Sequence, residues 1–169
     1  MKTNTKIKIA KLIFKILIFC GFKKKFFIRR GSINWYLDLS EGIDLSIFLF
    51  GSFQGDLVKS IIKIIFNNKN NKSLFFNIID VGSNIGDKSL SISKKLLNKK
   101  FYNFKIFSIE PTDYAFQKQI KNFNLNPNLK KKIFPFKLFI SLNKFKPIKI
   151  YSSWKLDSKI TSHKVHQGI

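Results

Sequence analysis

The spacing of apolar and polar positions changes along this chain, and each change predicts a different element. Residues 8–27, KIAKLIFKILIFCGFKKKFF, read as a helix. Lys8, Lys11 and Lys15 fall on one stripe, and Ile9, Leu12, Ile13, Ile16 and Leu17 form the opposite face. The apolar stretch from Leu12 to Phe22 contains Lys15 and is far shorter than the ~20 apolar residues a spanning helix needs. Three placements stay open for this helix: packed on the domain, lying on a membrane surface, or serving as a targeting segment. Lysines at 23–25 and the lack of a small-residue cleavage site count against the last.

Residues 31–53, GSINWYLDLSEGIDLSIFLFGSF, show short apolar runs around Gly42 and Gly51 and predict two strands or a strand pair. GDLVKSIIKIIF, 55–66, predicts an amphipathic helix, and NNKNNKS, 67–73, a polar connector. From there strand and helix patterns alternate. Strands are expected at 74–81 and 104–110, and helices at 86–98 and 112–126, the second capped by Thr112 or Asp113. A third strand region, 131–142, is interrupted by Pro135, and a fourth strand is expected at 147–154. Strands alternating with helices predict a doubly wound, mainly parallel α/β sheet. The chain thus divides into a basic amphipathic helix (1–28), a leader of strands and helix (29–73) and the α/β segment (74–169).

Composition adds three constraints. With 44% hydrophobic residues in 169, the chain has enough apolar side chains for a core, which excludes disorder by composition. A single cysteine, Cys20, excludes an internal disulfide framework and fits a reducing, cytoplasmic compartment. The net charge of +23, from 32 basic against 9 acidic residues, points toward nucleic acid or an anionic membrane. Its make-up weakens the first of these. Only Arg29 and Arg30 are arginine, the residue suited to bidentate phosphate recognition. Lys, Asn, Ile and Phe share A/T-rich codons, so genome bias accounts for the lysines without a ligand. Nucleic-acid binding is not expected, and peripheral membrane contact through the N-terminal helix stays open.

The candidate chemistry lies in DVGSNIG, residues 80–86, at the end of the first parallel strand and the start of a helix. Ligands of open parallel sheets bind at the carboxyl ends of the strands. Gly82 and Gly86 permit a sharp turn and close approach, and Asn84 tolerates the left-handed conformation. The following helix turns its positive end to the site, where an anionic group is favoured. Asp80 adds an acceptor for an amino group. Glu110 ends the next strand, 28 residues after Gly82, where an acid typically accepts ribose hydroxyls. An amino-acid head plus a ribose describes S-adenosylmethionine. The dinucleotide fingerprint G-x-G-x-x-G lacks its middle glycine here. A plain strand–turn–helix using Gly, Asn and Asp for the turn is the competing explanation.

IIDVGSNIGDKSLSIS and FSIEPTDYAFQKQIKNFNLNPNL together resemble the cofactor segments of the FkbM family of class I S-adenosylmethionine-dependent methyltransferases. WYLDLSEGIDLSIFLFGSFQGDLVKSI and YSSWKLDSKITSHKVHQG are similar to segments that precede and follow them. The resemblance implies a Rossmann-like fold. It implies that Asp80, Gly82, Ser83, Asn84 and Gly86 hold the methionine end of S-adenosylmethionine and that Glu110 holds the ribose. Pro111 and Thr112 would wall the adenine. It implies methyl transfer, mostly to hydroxyl oxygens of a small-molecule or glycan acceptor. The family's later Thr-Leu-Asp-Asp-like run and Asp-x-Glu-Gly strand do not occur here, so the sheet is expected to be incomplete, with the acceptor half and its base absent. No catalytic residue is assigned.

The other candidates are thin. His163 and His166 have a spacing that would put two metal ligands on a helix face. No acid or thiol lies close in sequence, so no metal site is expected; a histidine base is the other use of imidazole at neutral pH. Trp35 and Trp154 are expected to pack. Asp38, Glu41 and Asp44 are expected to form a solvated face or turn, with closure against the basic N-terminal region as a second role. A different class of function also stays open: a non-catalytic basic protein with a degenerate cofactor fold, bound to a membrane surface or nucleic acid.

Overall fold

The computed structural model describes residues 3–67, 74–141, 149–152, 155–157 and 164–167. In chain order the elements are α1 (Thr3–Phe19), β1 (Lys25–Arg30), β2 (Ile33–Asp38), α2 (Gly42–Phe50), α3 (Gly55–Asn67) and β3 (Phe76–Val81). Then come α4 (Asp87–Asn98), β4 (Phe104–Ile109), α5 (Asp113–Asn124), α6 (Pro127–Lys130), β5 (Ile133–Phe136), β6 (Lys149–Ser152) and β7 (Lys164–Gln167). The described residues form two compact units, one of those within 1–53 and 149–167, the other of those within 54–141.

In the first unit α1 ends where Gly21 turns left-handed, at φ +86°. Phe22 N–H donates to Leu17 O at 3.0 Å and Gly21 N–H to Ile18 O at 3.0 Å, a Schellman closure that satisfies the last carbonyls. The chain then enters an antiparallel hairpin in which Arg30 pairs with Ile33. Gly31 and Ser32 both have positive φ, +55° and +58°, the requirement of a two-residue type I′ turn. The strand pair is therefore β1 with β2. The expected boundary at residue 28 falls inside β1, and IDLSIFLF is helix α2 rather than a strand. A short, almost wholly apolar run carries no period to separate the two; here left-handed Gly51 closes it as a helix, its N–H on Ile47 O at 2.8 Å. Phe14, Leu39, Leu45 and Leu156 form a small core with Ala10, Ile13 and Leu17 against it.

Asp38 and Asp44 are buried rather than solvated, only 3% and 0% exposed. Asp44 Oδ2 accepts the Asp38 N–H at 2.6 Å, and Asp38 Oδ1 accepts Ser40 N–H at 3.0 Å and Ser40 Oγ–H at 2.6 Å. Lys25 Nζ stands 3.6 Å from Asp38 Oδ2, so the basic N-terminal region does meet this acid. Trp35 is fully buried as a packing residue; Trp154 lies outside the described residues.

The second unit is α/β, with a parallel sheet of order β3–β4–β5 flanked by helices, an arrangement compatible with a Rossmann-like fold. Two expectations change. The third strand ends at Phe136, and Pro135 is tolerated because β5 is an edge. β6 does not extend this sheet; it pairs antiparallel with β7. Because paired residues of parallel strands share a face, Ile78, Ile106 and Ile133 lie on one side, while Ile79, Phe107 and Phe134 lie on the other. Helices α4 and α5 reach the first, inner face through Ser89 and Gln119. On the outer face Ile79 and Val81 are 64% and 61% exposed. The second helical layer of a doubly wound sheet is thus not found among the described residues.

Candidate functional site

Asp80, Gly82, Ser83, Asn84 and Gly86 surround the carboxyl end of β3, and Glu110, Pro111 and Thr112 follow directly on β4 beside it. The loop is left-handed at Gly82 (φ +72°), Asn84 (φ +49°) and Gly86 (φ +86°). The glycines serve different needs. A Cβ on Gly82 would meet nothing within 4 Å, so only its φ requires glycine. A Cβ on Gly86 would lie 2.4 Å from the Phe123 ring, so both space and φ exclude a side chain.

Five consecutive loop amides are satisfied inside the protein. Gly82 and Ser83 N–H donate to Ile109 O at 2.9 and 3.0 Å, and Gly86 N–H to Ser83 O at 2.8 Å. Asn84 N–H donates to Glu110 Oε2 and Ile85 N–H to Asn84 Oδ1, both at 2.9 Å. These loop amides already have acceptors and are not free for an anion; the expectation of an anion rests on the positive end of helix α4, not on the turn.

Glu110 is 5% exposed and works as a clasp. Oε2 holds the Asn84 amide, and Oε1 accepts Thr112 N–H at 2.9 Å and Thr112 Oγ1–H at 2.6 Å. Thr112 occupies the N-cap position of α5, yet its hydroxyl turns back to Glu110 instead of capping the helix. Three of the carboxylate's roughly four acceptor positions are thereby used. Pro111 is half-buried at the start of this turn.

Asp80 faces inward. Burial pushes its carboxyl above the usual range, opposed by hydrogen bonds from Ser89 and by the Lys88 charge, while Asp87 adds to the rise. Ser89 Oγ lies 2.6 Å from Asp80 Oδ2 and 2.9 Å from Ser108 Oγ. Gln119 Nε2 donates to Ser108 Oγ at 3.0 Å and, more closely, to Ser83 Oγ. A hydroxyl has one proton. If Ser89 gives its proton to Asp80, Ser108 must give its own to Ser89, and Gln119 supplies Ser108. Every donor in the chain then runs toward Asp80. Asn122 Nδ2 adds a bond to Ile85 O at 3.1 Å, under the same loop.

Sequence reading missed Ser89, Ser108, Gln119 and Asn122. Ser89 and Ser108 are polar residues on otherwise buried faces, a usable signal, but only the crossing of β3, β4, α4 and α5 joins them. His166 lies on strand β7 rather than on a helix, and His163 lies outside the described residues. Among the described residues no group of three or more His, Cys, Asp or Glu could hold a metal ion. Compared with protein-family models, curated proteins and solved structures, the chain matches none.

Proposed function

We propose that the chain binds S-adenosylmethionine at the carboxyl ends of β3 and β4, as part of an enzyme that methylates a hydroxyl of a sugar or natural-product acceptor. One observation carries the reading. The left-handed loop consumes its own amides, while carboxylates stand at the ends of two adjacent strands. Such a site suits a ligand that offers donors. A pyrophosphate needs free N–H groups at the turn, and the amides from Gly82 to Gly86 are all taken.

In this reading Asp80 and the exposed Gly82 edge meet the ammonium end, with Ser83, Asn84 and Gly86 shaping the loop around it. Glu110 offers its remaining acceptor position to a ribose hydroxyl, and Pro111 and Thr112 line the neighbouring wall. The cofactor supplies a methyl group on a sulfonium. The protein's part is to fix that methyl against the acceptor oxygen and exclude water, since positioning alone lowers such barriers substantially. The resemblance of residues 78–93 and 107–129 to the FkbM family supports the same assignment.

A second reading has an observation of its own: amides and clasp close the loop so completely that it stands as a structural turn, in a degenerate fold without catalysis. Isothermal titration separates the two. The first reading expects heat with S-adenosylmethionine that barely changes with moderate salt, no heat with NAD, and loss of binding in Asp80→Ala and Gly82→Val. A folded wild-type chain without heat, or variants that bind as well as wild type, overturns it.

A further inference from the structure

Helix α1 carries two apolar stripes, and the fold uses one. Ala10, Ile13, Phe14 and Leu17 repeat at the spacing of a single helical face and pack on Leu39, Leu45 and Leu156. Ile9, Leu12, Ile16 and Phe19 form a second stripe and are 43%, 59%, 50% and 91% exposed. At 3.6 residues per turn, Lys8, Lys11 and Lys15 flank this second stripe on the side away from the core. Lys8 and Lys15 are exposed and Lys11 is half-buried. Around the helix the order is packed apolar, exposed apolar, lysine.

We propose that α1 docks the protein on an anionic lipid bilayer surface, with Ile9, Leu12, Ile16 and Phe19 at the acyl boundary and Lys8 and Lys15 among the headgroups. Charge selects this occupant. Residues 1–30 hold ten basic residues and no acid, within a chain of 32 basic and 9 acidic residues, so a second copy would meet like charge. A nucleic acid would take the lysines and leave Leu12, Ile16 and Phe19 in water. An anionic bilayer takes both stripes at once, as interfacial helices do. The helix lies in the surface plane: no single helix among the described residues is long and apolar enough to cross a membrane.

The test is sedimentation of the full chain with vesicles of phosphatidylcholine alone and of phosphatidylcholine with phosphatidylserine. Binding is expected to the anionic vesicles and to fall with salt. Lys8→Gln and Lys15→Gln should each weaken it about fivefold. Leu12→Ser and Ile16→Ser should each weaken it about tenfold or more, with unchanged circular dichroism because both side chains already face solvent. No binding to anionic vesicles, equal binding to neutral ones, or wild-type binding by the serine variants overturns the proposal. So does sedimentation velocity showing a wild-type dimer that the serine variants abolish, since a second copy then covers the stripe.

Discussion

The two faces of the parallel sheet use alternate residues of the same three strands. The inner face presents Phe76, Ile78 and Asp80, then Phe104, Ile106 and Ser108, then Ile133 and Pro135. The outer face presents Asn77, Ile79 and Val81, then Lys105, Phe107 and Ile109, then Phe134 and Phe136. Apolar residues dominate both. The polar residues differ in kind. On the inner face Asp80 and Ser108 are tied through Ser89 and Gln119 into a buried network under the loop. On the outer face Lys105 lies over the Phe75 and Phe134 rings at 5.7 Å each, and Phe107 stacks on Phe134 at 5.8 Å. Hydrophobicity alone therefore does not mark the face that carries the candidate site. The difference lies in polar groups held under a helical layer, where hydrogen bonds are electrostatically stronger than in water.

The comparison predicts its largest contrast at matched isoleucines. Ile106 is fully buried on the inner face, and Ile79 is 64% exposed on the outer one. Ile106→Ala should cost about 2–5 kcal/mol, transfer and cavity terms together. Ile79→Ala should stay within about 0.5 kcal/mol of wild type. Urea denaturation of both variants measures this. Equal losses would mean that the outer face is covered in solution.

A smaller effect is expected where the loop meets the sheet. Glu110→Ala removes the acceptor of the Asn84 and Thr112 amides, and stranded donors should cost about 1–3 kcal/mol. Hydrogen exchange should quicken at Asn84 and Thr112. Glu110→Gln keeps one carbonyl acceptor and should lose less. Should exchange at Asn84 stay as slow in Glu110→Ala as in wild type, the clasp is not what holds the loop.

The sequence made much of this unit legible. The positions of α3, β3, α4, β4 and α5 follow directly from a strong alternation of strand and helix periods, with boundaries moved by a residue or two. The turn residues were legible too, because a left-handed step at Gly82, Asn84 and Gly86 is a local requirement. What stayed hidden depended on contacts distant in sequence. Glu110's place at the end of β4 predicts a ligand acceptor, yet its partners Asn84 and Thr112 emerge only when two strand ends stand side by side. IDLSIFLF reads as strand in the sequence, because a short apolar run carries no period to tell strand from helix, and Gly51 closes it as a helix. In α1 the sequence sets Ile9, Leu12, Ile13, Ile16 and Leu17 on one face, yet the core takes Ile13 and Leu17 with Ala10 and Phe14 and leaves Ile9, Leu12 and Ile16 exposed, because the apolar residues exceed what one face needs.

The finest distinction concerns the charge on the inner face. Asp80 keeps its proton to a higher pH than the ordinary 3.8 because burial disfavours the carboxylate, even against the Ser89 bonds and the Lys88 charge. A raised carboxyl in the folded state contributes stability that is present below the unfolded value and is lost as pH rises through the folded one. Asp80→Asn removes that loss while keeping an acceptor for Ser89. Its stability relative to wild type should therefore rise as pH increases from about 3.8 through the raised value, then level off above it. Thermal unfolding across that range measures it. An ordinary structural acid would behave in the opposite way, with the asparagine variant losing ground as pH rises. A gain in stability joined to loss of S-adenosylmethionine binding would mark Asp80 as a charge kept for a ligand at the expense of the fold. A gain with no binding in either protein would leave Asp80 a feature of the turn alone, and the second reading of the site would stand.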